Sequence, residues 1–272
     1  GAGCIMFDQI QSAIIGAKIP VGRSVANGFA WLTDNFTGFF DTLEAGLRQG
    51  IGALQTALTW PHPLAVIAVF GLITWALQRR LVPVVIVLAC ALFALNQGYW
   101  TLTMQTLTLV LGSCFVCMAI GVPVGIFAAH RPRFYRALTP ILDLMQTLPT
   151  FVYLIPVLVL FGLGMVPGLV ATVIFALPAS IRLTELGIRS TPQALREAAP
   201  AFGATPRQRI WKVELPYAFP QIMAGLNQTI MLSLSMVVVA GLVGAPGLGV
   251  SVVRALNSVN PAQLMLGIDH RV

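Results

Sequence analysis

"LTMQTLTLVLGSCFVCMAIGVPVGIFAA", residues 102–129, carries no charged side chain from end to end. A helix needs about 20 apolar residues to cross the hydrocarbon core of a bilayer, so this run is read as a span. Similar runs lie on both sides. "PLAVIAVFGLITWAL" (63–77), with Trp60 and Trp75 placed to suit a membrane interface, is separated from "LVPVVIVLACALFAL" (81–95) only by Gln78, Arg79 and Arg80. Further runs occupy about 138–163 and 166–181, parted by a Gly-Met-Val-Pro-Gly turn near 164–168, and a last one covers about 221–243. The fold class expected is all-α: a polytopic transmembrane helix bundle of about six spans. Composition agrees, with 57% hydrophobic and 9% charged residues against about 25% charged in an ordinary soluble domain.

The net charge of +7 has a place in this scheme. Arg79 and Arg80 follow the first run. Arg131, Arg133 and Arg136 follow the third, and Arg182, Arg189, Arg196, Arg207, Arg209 and Lys212 follow the fifth. These loops alternate, so one orientation puts every cluster in the cytoplasm. The N-terminal segment and the residues after 244 are then outside. No basic face with interleaved aromatics on a polar domain suggests nucleic acid.

Residues 1–60 form a first unit, and 61–272 the transmembrane domain with a cytoplasmic loop at 182–218. The first unit is amphipathic, with Asp34, Asp41, Glu44 and Arg48 among apolar residues. It reads as one or two helices, either lying on the membrane surface or docked on the rest of the protein. No basic region followed by a long apolar core marks a secretory signal, and Met6 reads as the native start.

The polar stretch "EAAPAFGATPRQRIWKVELP" (197–216) interrupts this apolar chain. Thr191 is expected to cap a helix that has Pro192 at its first position. Gly203 is expected to end that helix in the left-handed conformation. Pro200 should kink or interrupt it. Thr205-Pro206 repeats the start signal, and the second helix should run to about Glu214 and stop at Pro216. Two capped short helices are more than a passive connector requires.

Glu197, Ala198 and Ala199, followed by Gly203 and then by Leu215 and Pro216, resemble the EAA motif of membrane subunits of ATP-binding cassette (ABC) importers. That resemblance implies that the loop carries a coupling helix fitting a groove on an ATP-binding subunit. No GxxxxGK[ST] loop is present: the lysines are Lys18, after Ala17, and Lys212, after Trp211. ATP and magnesium are therefore expected on another chain, and no cofactor on this one.

Three longer stretches, 142–164, 176–204 and 219–249, together with "KIPVG" (18–22), resemble the permease subunit of bacterial glycine betaine, proline betaine or choline importers. The resemblance implies a type I ABC importer fold and osmoprotection in the bacterial cytoplasmic (inner) membrane. It also implies a second copy of this chain, an ABC ATP-binding subunit and a periplasmic or external substrate-binding protein as partners, besides membrane lipid. Such permeases close with one more span, and the chain's end, "QLMLGIDHRV" (263–272), does not supply it. An amino-acid permease, for histidine or proline, is the alternative within the class, and a stand-alone secondary transporter outside it.

Polar groups inside spans line a cavity or bond a neighbouring helix. Gln146 and Thr147 in the fourth run, and Asn227, Gln228 and Ser235 in the sixth, are candidates for either role. Asn227 and Ser235 are eight residues apart, nearly on one helix face. A quaternary ammonium donates no N–H and is held by aromatic faces, which adds Phe151 and Tyr153. Asp143 is expected near the cytoplasmic interface. "GAPGLG" (244–249) lacks a following Lys and reads as a flexible turn with close backbone packing. The CxxC of Cys114 and Cys117 has no His or carboxylate near it and reads as small-residue packing between helices. His62, His130 and His270 belong to no catalytic or metal constellation.

Overall fold

The structure, a computed structural model of the chain, describes residues 21–258. Much of "KIPVG", Met6 and the "QLMLGIDHRV" end lie outside the described residues. Among the described residues every regular element is helical. The chain divides into two compact units, Gly1–Leu43 and Glu44–Val272. Helix α1 runs Val21–Thr59 without interruption. Its glycines bring no break, so one continuous helix stands where one or two were expected.

Helices α2 (Pro63–Gln78) and α3 (Leu81–Asn96) form a tight hairpin. The His62 ring nitrogen accepts from the Leu64 N–H, and Pro63 at the first position gives up no intrahelical bond. Arg79 ends α2 in the left-handed region, φ 48°, with its N–H on Trp75 O, and this turns the chain within two residues. Each helix has 16 residues, about 24 Å at 1.5 Å per residue, short of a hydrocarbon core of about 30 Å.

Helix α4 spans Trp100–His130. The fourth expected run, 138–163, is not one helix. It divides into α5 (Pro132–Thr147) and α6 (Thr150–Phe161), bent by 94°. Pro149 is the cause: it has no N–H to donate, and it drives Leu148 to an extended conformation, ψ 137°. Helix α7 (Met165–Arg189) follows glycines in positive-φ conformations at 162 and 164.

After α7 come α8 (Gln193–Ala201), the short α9 (Pro206–Arg209), a π-helical turn at Ile210–Glu214, and α10 (Leu215–Leu242). Helix α11 (Leu248–Asn257) closes the described chain. Three helices, Trp100–His130, Met165–Arg189 and Pro206–Leu242, are long and apolar enough to cross a membrane alone. The number rises to five if α5–α6, and α2 with the end of α1, each count as a bent span.

Helix α7 is the centre of the bundle, packed between α4 and α10. Small residues set the spacing. A Cβ on Gly121 would lie 1.9 Å from Ser180 Oγ, so α4 and α7 touch almost backbone to backbone. Ser180 is buried there and donates to Cys117 O and Leu177 O. Cys114 and Cys117 are free and buried, Cys117 in the same seam against Val173 O of α7 and Cys114 facing Ser233 of α10, in agreement with the packing role. The GAPGLG turn folds α11 back on α10 so closely that a Cβ on Gly249 would lie 2.1 Å from Val237 O. The outer faces are apolar, with Leu72, Leu77, Leu81, Val85, Phe115 and Leu163 all exposed. That surface belongs in lipid.

Candidate functional site: the loop between α7 and α10

The loop is built almost wholly from caps. Thr191 does not cap α8 as expected. Its N–H bonds back to Ile188 O at 3.2 Å, which keeps it in the closing turn of α7, and its hydroxyl is buried without a hydrogen-bond partner. Pro192 takes the cap position and Gln193 is the first helical residue. Pro200 neither kinks nor interrupts α8. It falls in the last turn, next to the final residue Ala201, so only one intrahelical bond is missing.

Gly203 ends α8 as expected, with φ 77°. Its N–H bonds Pro200 O at 2.9 Å, and the next N–H, of Ala204, bonds Ala199 O at 3.0 Å. These two bonds are a Schellman motif. Ala199 is thus buried and serves as the far acceptor, while Ala198 is half-buried. Glu197 is exposed and accepts from Gln193 Nε2 at 2.6 Å, a bond along one face of α8. The E-A-A…G spacing is in physical terms one short helix with its terminator.

Thr205 and Gln208 form a capping box: each side chain bonds the other's backbone N–H, at 3.3 and 2.8 Å. The helix started there does not stop at Glu214. It widens into the π-turn, where the Leu215 N–H reaches back to Ile210 O, and continues as α10. Pro216 therefore stands in the first turn of α10 rather than ending a helix. It cannot donate to Lys212 O, and the π-turn is the local remedy for that missing bond. Leu215 packs half-buried against the core formed by Ile188, Ala218 and Ile222.

Two aromatic side chains stand out of this polar loop. Phe202 is 90% exposed, just before the terminating glycine, and Trp211 is 69% exposed on the π-turn. Neither drew notice in the sequence, although an unpaired aromatic inside a basic, capped insert is the signal that marks them. Glu214 was missed as well. It is 1% exposed, and its carboxylate lies 2.7 Å from His130 Nε2 and 3.1 Å from Arg209 Nε. Its position four residues before the small residue Ala218 places it on the inward face. Asp143 meets Arg182 across α5 and α7, near the loop end of the bundle, and Glu185 meets Arg189 along α7.

The seven candidate pathway residues are not gathered into one pocket. Gln146 is half-buried, and the Thr147 hydroxyl donates to Asp143 O at 2.8 Å. Phe151 is exposed on α6, and Tyr153 packs against the cluster of Leu154, Ala171, Met236 and Val243 with its hydroxyl unpartnered. Asn227, Gln228 and Ser235 occupy the exposed face of α10, the Ser235 hydroxyl donating to Met231 O. The inward polar residues of the same helix are satisfied inside this chain: Thr229 donates to Gly225 O, and Ser233 meets Ser113 at 3.1 Å. A cavity of about 550 Å³ lined by Leu47, Leu54, Phe115 and Leu169 takes in none of the seven.

A lipid-facing helical bundle with a capped, aromatic-tipped polar loop at one end defines a multi-pass membrane transport subunit. The chain belongs to the family of binding-protein-dependent transport system inner membrane components, which it matches over residues 121–268. It is 43% identical over 242 residues to the glycine betaine transport system permease protein OpuAB of Bacillus subtilis (strain 168), covering 89% of this chain and 86% of that protein. Identity is also 43% over 251 residues to the glycine betaine/proline betaine transport system permease protein ProW of Escherichia coli (strain K12), covering 92% of this chain and 70% of that one. Among solved structures, inward-facing MetNI, a methionine ABC transporter, matches with TM-score 0.53 and 28% identity over 59% of this chain and 82% of that chain.

Proposed function

We propose that this chain is the membrane subunit of an ATP-driven importer for a quaternary-ammonium compatible solute, glycine betaine or proline betaine in the first place. Permeases that it resembles at 43% identity carry those solutes in their names. The observation that carries the mechanical part is the solvent-facing loop with Phe202 at its tip. Two caps hold that loop in one shape, so a push on it is transmitted rather than absorbed.

In this reading a separate ATP-binding subunit seats Phe202, and Ala198, Ala199 and Gly203 set the shape that fits its groove. ATP-driven closure of two such subunits displaces the loops of two copies of this chain. Pro206–Leu242 is continuous helix, so the displacement passes directly into a span. The exposed face of α10, with Asn227, Gln228 and Ser235, then lines the space between the copies. Phe151 and Tyr153 offer aromatic faces to a cation that brings no hydrogen-bond donor. The loop is cytoplasmic and the N-terminus outside, and an external binding protein delivers the solute.

The test is reconstitution of this chain with its ATP-binding subunit and binding protein in lipid vesicles. ATP-dependent uptake of labelled glycine betaine is expected. Uptake by this chain alone down an ion gradient would overturn the reading in favour of a secondary transporter. ATP-dependent uptake of histidine or proline with none of betaine would move the substrate to the amino acids.

A further inference from the structure

Glu214 is the most deeply buried acidic residue described, and its two oxygens face two different elements. Oε2 lies 2.7 Å from Nε2 of His130, the last residue of α4. Oε1 lies 3.1 Å from Nε of Arg209 in α9, close enough to pair although the N–H is not aligned for a hydrogen bond. The other ring nitrogen, Nδ1 of His130, lies 2.8 Å from Ile126 O. A carbonyl only accepts, so Nδ1 carries a proton. A second proton must then lie between Nε2 and Oε2 for that contact to be a hydrogen bond. His130 is thus fixed at both nitrogens, one to its own helix and one to the start of α10.

Without such partners a buried carboxylate is costly, and removing one partner of a buried pair is strongly destabilising. The position is also mechanically distinct. The loop continues by backbone into α10 but reaches the end of α4 only through side chains. The apolar contacts there, Leu215 with Ile126 and Ala129 around Ile188, Ala218 and Ile222, are non-directional and allow sliding. A charge-assisted hydrogen bond is directional and holds register. It is sited in the π-turn, a local departure often found at functional positions.

We propose that Glu214, bridging His130 and Arg209, is a positioning residue of energy coupling: it ties the loop to the end of α4, so that displacement of the loop moves α4 together with α10. This rests on the reading of the 192–214 loop as the coupler. Glu214 touches neither nucleotide nor solute. Its loss lets the loop move without carrying α4.

The experiment measures ATP hydrolysis and betaine uptake in the same vesicles holding the assembled complex. The variants are Glu214→Gln, which keeps the shape and removes the charge, His130→Ala, which removes the partner, and His130→Gln, which keeps a donor. Hydrolysis is expected to continue in Glu214→Gln and His130→Ala while solute moved per ATP falls about tenfold, within the roughly 5–150-fold range of coupling between two sites. His130→Gln is expected to restore most of that ratio. Parallel loss of hydrolysis and uptake, an unchanged ratio, or no rescue by His130→Gln overturns the proposal. Should Glu214→Gln fail to co-purify with the ATP-binding subunit, the two His130 variants carry the same comparison. Failure of the coupler reading itself looks different: Gly203→Val, whose strain falls on the loop alone, then leaves uptake per ATP intact whatever Glu214 does.

Discussion

The α4–α7 seam gives a quantitative test of the packing. In Gly121→Ala the new Cβ meets Ser180 Oγ at 1.9 Å and Ser180 Cβ at 2.7 Å, with Ile181 N at 3.4 Å. Turning the Ser180 hydroxyl away relieves the first contact and sacrifices its bonds to Cys117 O and Leu177 O. The second contact is fixed to the backbone, so the helices must part. Overpacking of this kind costs about 1–3 kcal/mol, which in a chain of this size lowers the unfolding midpoint by about 2–12 °C. Ser180→Gly removes both offending atoms, and Gly121→Ala/Ser180→Gly is expected to recover more than half of the loss. The chain carries its own reporter. Cys117 is buried in the seam, Cys114 is buried one turn away against α10, and Cys90 is exposed. In a Cys4→Ala/Cys90→Ala background a thiol-reactive fluorophore reads the opening of the bundle on heating. A midpoint unchanged by Gly121→Ala, or no recovery in the double variant, would refute backbone-close packing of α4 on α7.

Phe202→Ala removes the most exposed aromatic of the loop and is expected to weaken binding of the ATP-binding subunit at least about tenfold, as loss of an interface anchor does, while the unfolding midpoint stays put; titration of the purified subunits reads the first and thermal unfolding of this chain the second. Thr205→Ala breaks the capping box at a cost of about 1 kcal/mol, and hydrogen exchange should quicken at the Gln208 amide, which bonds the Thr205 hydroxyl, with Thr205→Ser restoring protection. Asp143→Asn breaks an ion pair whose side chains are 54% and 34% exposed. Exposed pairs contribute about 0–1 kcal/mol, so its midpoint should move less than that of Gly121→Ala.

Fold class was legible because lipid imposes a local rule. Long uncharged runs have one stable solution, so α4, α7 and α10 stood out from residues 102–129, 166–181 and 221–243 alone. The cap chemistry of Gly203, Thr205 and Pro206 was local too, since each of those bonds closes within a few residues. The break at Leu148–Pro149 was within reach of the same rules. Hydropathy hid it, because both arms of the bent pair are apolar.

Amino-acid order alone therefore determined that the chain enters lipid, that a polar capped loop interrupts it after α7, and where that loop begins its second helix. Tertiary structure decided which polar residues of α10 turn inward, why Gly121 must be small, and that Glu214 meets His130 across a gap of 84 residues in sequence. The physical reason is range. Helix propensity, capping and apolar transfer act over a turn or two of chain, whereas a buried carboxylate is defined by whichever distant groups the packed bundle brings to it.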